Sequence, residues 1–264
     1  MPQFLTVPTV KKTKRFKVTS RMRRDPTKSK AIENRYLREV KRQVKKFQKH
    51  ILDFILTYYT SPIEKTLSRE LDTPFNIKNI HSFIDEVAHL DLVAGIEPIT
   101  EKYVIQAYYQ GMSFGTAVLG ASVEERQANW AKISTRIQQI GAEWSNYSQR
   151  EATDIKRIVG TGVIEEWTQG QIIKKIKEVY DMEDYRAERI VRTETMKAIN
   201  DGVLDRYRRD GIEPRGGGPR PPLHPNCRCT IIVDFEDGEP VLKWLACSDE
   251  RTCGECADLD GTVI

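Results

Sequence analysis

All five cysteines of this 264-residue chain lie in its last 38 residues, and the 226 residues before them contain none. They fall into two knuckles. One is His224-Pro225-Asn226-Cys227-Arg228-Cys229, and the other is Cys253-Gly254-Glu255-Cys256, with Cys247 six residues upstream of Cys253. A Cys-x-x-Cys turn aims two thiolates at one point, and a second knuckle completes a tetrahedral shell, so a structural zinc ion is the expected occupant. The opposing reading is a redox pair or free core thiols. An odd cysteine count, a length far beyond that of a disulfide-stapled miniature domain, and an opening Met1 to Pro8 broken by prolines before an apolar signal region can form all argue against a disulfide framework. Cys247 is read as a bystander at a strand end, Leu245-Ala246-Cys247.

The expected shell is Cys253 and Cys256 with two of His224, Cys227 and Cys229. Cys227 and Cys229 are only two residues apart, so His224 with one of them is the easier geometry. Four ligands leave no open position for water, which makes such an ion structural and not catalytic.

Hydrophobic residues make up 39% of the chain and charged ones 30%, enough apolar material for a core in one large domain or two smaller ones. The best apolar run, Ile51 to Tyr59, carries Asp53 and is too short for a membrane span, so a soluble protein with no membrane partner is expected. A formal net charge of +4 hides an asymmetry. Residues 1–50 hold 17 Lys and Arg against 3 Asp and Glu, and the remainder is net acidic by 10. Lys11, Lys12, Lys14, Arg15, Lys17, Arg21, Arg23 and Arg24 concentrate the basic excess in residues 1–30. These read as a flexible basic arm for a polyanion or an acidic protein surface, or as a solvated leader. Little aromatic interleaving is present, so base stacking is not indicated.

From about Lys30, Ile32, Tyr36, Leu37, Val40, Val44, Phe47, Ile51, Leu52 and Ile55 recur at three- and four-residue steps, the spacing of one helix face. Ser61-Pro62 predicts a short helix to about Leu71. Asn79 to Val93 is a further periodic stretch, and Thr100 to Val118 another, interrupted by Gly111 and Gly115. Ser122 with Glu125 forms a capping box opening a segment to Ile158, with Trp130, Ile133, Ile137, Ile140, Trp144 and Ile155 as core positions. His81 and His89 are read as ordinary helix residues. The expected fold is mainly α: an elongated helical scaffold over residues 31–164, and a small α+β, metal-stabilised lobe within 165–264.

In that C-terminal third, Thr168-Gln169-Gly170-Gln171 caps a helix from Ile172 to Val179, and Glu183 starts a second one to about Arg209. Ala187, Ile190, Val191, Glu194 and Ala198 share a face of the second, so Glu194 points into apolar surroundings and needs a partner. Arg192 faces elsewhere, and Arg251, reaching across the fold, is the better candidate. A buried polar clasp between helix and metal lobe is the preferred role for Glu194, ahead of acid–base chemistry. Gly202 permits close approach of another element.

Three segments together resemble a known family. Ile190-Val191-Arg192-Thr193-Glu194-Thr195, continuing through Asn200 and Gly202, is similar to the arginine–threonine–glutamate helix of the phage Mu F-like minor head proteins. Pro221-Pro222-Leu223-His224-Pro225-Asn226-Cys227-Arg228-Cys229 resembles that family's knuckle. Trp244-Leu245-Ala246, with Asp249-Glu250-Arg251-Thr252-Cys253-Gly254-Glu255-Cys256 and Leu259-Asp260-Gly261, resembles its second element. The likeness covers about residues 165–264. The family's usual order of the two knuckles is reversed here, which a metal site tolerates because ligands need only converge in space. The resemblance implies a head-morphogenesis protein of a tailed phage or prophage, found in the virion at the capsid interior or portal vertex and in the host cytoplasm during assembly. Its implied partners are the portal protein, with scaffold, major capsid protein or packaged DNA as further ones. Its implied roles are procapsid assembly and genome packaging or delivery.

Enzymatic alternatives fail on residues. A zinc deaminase needs His-x-Glu followed by Pro-Cys-x-x-Cys, but the triplet here is His224-Pro225-Asn226, and Thr252 precedes Cys253. A histidine-based nuclease needs a free histidine, and His224 alone serves the C-terminal lobe. No Gly-x-x-x-x-Gly-Lys phosphate loop occurs, and Gly216-Gly217-Gly218 reads as a flexible loop. The expectation is a non-enzyme. The alternative to a head protein is a zinc-stabilised nucleic-acid-binding protein that uses the basic arm.

Overall fold

The computed structural model describes residues 18–19, 23–59, 77–121, 128–215, 218–250 and 252–264. Over these residues it is mainly helical, with a two-stranded antiparallel sheet near the C-terminus. In chain order the elements are α1 (Ser29–Tyr58), α2 (Ile77–Val87), a π-helical segment (Ala88–Ala94), α3 (Glu97–Leu119), α4 (Trp130–Ile164), α5 (Gln169–Arg209), β1 (Thr230–Glu236), β2 (Glu239–Leu245) and α6 (Gly254–Asp258). The described residues form two compact units, one drawn from within 1–35, 102–137 and 191–264, the other from within 36–101 and 138–190.

In the second unit, α1 buries the stripe its periodicity predicts: Tyr36, Val40, Val44, Phe47, Ile51 and Ile55 are each at most 1% exposed. Ile140 and Trp144 of α4, with Ile172 and Ile176 of α5, complete an apolar core. Some of its polar atoms are matched within it. The Tyr36 hydroxyl lies 2.8 Å from Thr100 Oγ1, and the Trp144 indole donates to the same tyrosine at 3.3 Å. The periodic stretch from Asn79 to Val93 is not one α-helix but α2 followed by the π turns. Their extra residue per turn re-phases the chain so that Asp91, Leu92 and Ile96 all face inward. Buried Asp91 is met from α1 by Lys46 Nζ at 2.8 Å and His50 Nδ1 at 2.7 Å.

In the first unit, α3 and α5 cross at backbone contact. A Cβ at Gly111 would stand 1.9 Å from the Ile199 carbonyl oxygen, and one at Gly202 would stand 2.0 Å from that of Tyr108. The close approach expected at Gly202 is present. Gly111 and Gly115 do not interrupt the helix as the sequence suggested; α3 is continuous because these glycines accommodate a neighbour and not a bend.

Two further expectations change. The predicted pair of helices from Ile172 to Arg209 is a single 41-residue helix, Gln169–Arg209, because neither proline nor glycine lies between residues 171 and 201 to stop it. Trp130 is a first-turn residue 57% exposed and not a core position, and Ile137 is only half-buried. The Ser61-Pro62 helix and the Ser122–Glu125 capping box lie outside the described residues.

The sheet is a hairpin. Asp237 and Gly238 have φ of 51° and 85°, the left-handed pair a two-residue turn requires, and the register runs from Thr230 opposite Leu245 to Glu236 opposite Glu239. Ile231 and Trp244 are fully buried, and the Tyr207 hydroxyl donates to the Ile231 carbonyl at 3.1 Å, laying α5 against β1. The C-terminal residues follow β2, with Ile264 N–H donating to Leu242 at 2.9 Å.

Candidate metal centre

The two knuckles are shaped locally before they meet. In the first, the Cys227 amide donates to the His224 carbonyl at 3.2 Å, and Asn226 takes a left-handed φ of 66° to close the turn. The Cys229 amide then donates to Cys227 Sγ at 3.4 Å, so residues two apart curl tightly enough to bring both sulfurs to one side. In the second knuckle Cys253 is the N-cap of α6, its sulfur accepting the Cys256 amide at 3.4 Å. The two therefore use the same amide-to-sulfur bond.

Five donor atoms gather in two overlapping sets. His224 Nε2 lies 3.1 Å from both Cys253 Sγ and Cys256 Sγ, and Cys227 Sγ lies 3.7 Å from Cys256 Sγ. His224, Cys253 and Cys256 form one compact set of donors and Cys227, Cys229 and Cys256 another, so Cys256 belongs to both. The cluster of His224, Cys227, Cys229, Cys253 and Cys256 can hold a metal ion. Nδ1 of His224 lies 2.8 Å from the Pro225 carbonyl. A carbonyl can only accept, so Nδ1 carries the proton and the Nε2 lone pair faces the sulfurs, the arrangement by which metal-binding histidines are oriented.

The electrostatics divide the thiols. Hydrogen bonding from Cys229, against the cost of burial, lowers the Cys227 thiol to about 5. Its donor pays in the opposite direction: the bond to Cys227, then burial, pushes Cys229 well above the ordinary thiol value. Burial and the neighbouring Cys227 charge push Cys256 up to about 12, and the Cys256 amide holds Cys253 low. For His224, burial acts downward but is outweighed by the Pro225 carbonyl and the Cys227 and Cys253 charges. Cys247 stands outside both donor sets, as expected. Its thiol donates to the Arg24 carbonyl at 3.2 Å, and its backbone supports the Cys229 sulfur.

The arginine–threonine–glutamate helix holds this lobe through Thr193 and Asn200. Thr193 Oγ1 accepts the Asn226 amide at 3.1 Å in the turn of the first knuckle. Asn200 donates to the Cys229 carbonyl at 3.1 Å and accepts from the Thr230 hydroxyl at 2.7 Å, all three residues being buried. Glu194 is buried but pairs with Lys197 one turn along its own helix at 2.6 Å and with Arg136 of α4 at 3.9 Å. Arg251 lies outside the described residues, and Arg192 is half-buried.

One residue was missed. Arg228, between the two cysteines of the first knuckle, has a side chain only 1% exposed and pairs with Asp249, itself 4% exposed, and with Glu250 at 3.3 Å. Asp249 sits in the turn that leads into Cys253, so this buried ion pair ties one knuckle to the other. A lone arginine between cysteines gives no signal of its burial in sequence.

Of the proposed polyanion-binding residues, Lys11, Lys12, Lys14, Arg15, Lys17 and Arg21 lie outside the described residues. Arg23 is not available as an arm residue, since its guanidinium pairs with Asp260 at 2.6 Å and its carbonyl accepts the Ser248 amide at 2.7 Å. Arg24 is exposed. Residues 26, 27 and 29 are buried, so the expected flexible arm does not extend through residue 30. Comparison with protein-family models, with curated proteins and with solved structures finds no match to this chain.

Proposed function

We propose that this chain is a minor head protein of a tailed phage or prophage, of the phage Mu F-like kind, acting at the portal vertex in procapsid assembly and genome packaging or delivery. The observation that carries this reading is mutual contact among the three segments on which the resemblance rests. Thr193 and Asn200 of the first bond to the knuckle of the second, whose His224 and Arg228 meet Cys253, Cys256 and Asp249 of the third. Separate motifs that resemble one family and also fold onto one another are better support than any of them alone.

In this reading the lobe is a rigid, zinc-stabilised knob and the protein is not an enzyme. Zinc suits a sulfur-rich shell with one imidazole, and thiolates about 2.3 Å from a tetrahedral ion stand about 3.8 Å apart, close to the 3.7 Å between Cys227 and Cys256. The proposed shell is His224, Cys227, Cys253 and Cys256, with Cys229 as the thiol that donates to Cys227. Such a shell is closed, leaving no site to activate water.

The test is co-expression with the portal protein encoded at the same genomic locus. Stoichiometric co-purification with a portal ring, retained in 0.5 M salt as about expected for an apolar interface, supports the reading. Absence of any association with the portal, or a locus with no virion genes, defeats it.

A further inference from the structure

We infer that the exposed face of α1 is a docking ridge for the phosphate backbone of duplex DNA, formed by Arg38, Arg42, Lys45 and Lys49. Between residues 38 and 49 every exposed side chain is Arg or Lys: these four and Lys46. Lys46 is engaged with Asp91, and half-buried Lys41 faces Asp184 and Glu188. Arg38, Arg42, Lys45 and Lys49 have no carboxylate at ion-pair distance among the described residues. Steps of four, three and four residues place them within an arc of about 60° and along about 17 Å of helix axis.

An exposed helix face ordinarily mixes acids and bases, since unlike pairs three or four apart stabilise it and like pairs destabilise it. Here each neighbouring pair on the ridge is like-charged. The arrangement is unfavourable for the free helix and becomes favourable beside a polyanion. The absence of aromatic or large apolar side chains among these exposed residues selects the class of polyanion. A protein interface joins aromatic anchors to its arginines, and single-stranded nucleic acid would use a stacking platform. Duplex DNA needs neither: about ten phosphates of its two strands lie along about 17 Å of axis, and arginine and lysine bind those on the facing side without reading bases.

The experiment measures binding of the full chain to a fluorescein-labelled, mixed-sequence duplex of about 24 base pairs by anisotropy, between 50 and 200 mM KCl. Four neutralised phosphates give a slope of log affinity against log salt of about −3.6, or about 150-fold weakening over that range. R38Q/R42Q/K45Q/K49Q, whose helicity glutamine preserves, is expected to make the slope shallower by about 3.6. The half-variants R38Q/R42Q and K45Q/K49Q are expected to lose about half of that each, which keeps the test open if the fourfold variant does not fold. Substituting Lys11, Lys12, Lys14, Arg15 and Lys17 by Gln is expected to leave the ridge's share of the slope in place. No binding at 50 mM, a slope unchanged in the half-variants, or equally tight binding to polyglutamate would overturn the inference.

Discussion

Asn200 illustrates how a single side chain can hold a lobe. Its amide reaches the Cys229 carbonyl and its oxygen receives the Thr230 hydroxyl, in a place closed to water. In Asn200→Ala both partners stay buried without a bond, and the expected cost is about 1–3 kcal/mol for each orphaned group. Denaturant unfolding of the variant beside the parent measures it. The thiols make a second prediction at this scale. Cys256 is common to both donor sets, whereas Cys229 acts as a donor to Cys227. Cys256→Ser and Cys253→Ser should therefore lose the metal, and Cys229→Ser should keep close to a full equivalent; metal content by mass spectrometry of purified protein decides it. Full metal in Cys256→Ser would refute the proposed shell.

Between elements, the tightest constraint is the crossing of α3 and α5. In Gly202→Ala the new methyl would meet the Tyr108 carbonyl, a backbone atom that cannot swing aside, so the two helices must separate. A loss of about 3 kcal/mol or more is expected, visible as a lower melting temperature. Gly141→Ala in α4 is the matched contrast, since nothing lies within 4 Å of the added Cβ. There alanine should stabilise by about 0.5–1 kcal/mol through helix propensity alone. The helices themselves were legible from periodicity, as the buried stripe of α1 demonstrates. Their limits were less so. The π turns after Val87 were missed because they keep apolar residues at near-helical spacing while rotating the face, and only the burial of Asp91 against Lys46 and His50 reveals the shift.

For the molecule as a whole, metal and protons compete. Cys229 and Cys256 are pushed up, so without metal they carry protons at neutral pH, and a thiol must lose its proton to ligate. Of the two, Cys256 lies in the proposed shell. Binding therefore releases protons, and the metal-free state takes up more of them as pH falls. The stabilisation given by metal should be largest above neutrality and should shrink on acidification, more steeply once Cys227 also protonates near 5. The difference in melting temperature between metal-loaded and chelator-treated protein, followed from pH 8 to about pH 5, tests this; a constant difference would contradict it. The sequence by itself determined a helical chain with a small metal-capable lobe, because helix faces and Cys-x-x-Cys turns are written in spacings of two to four residues. Tertiary structure alone decided that Arg136 meets Glu194, that Arg228 is buried against Asp249, and that Cys256 is shared by both donor sets. Those pairings join loops and helices tens of residues apart, and burial at such contacts follows from how whole elements pack and not from any neighbour in the chain.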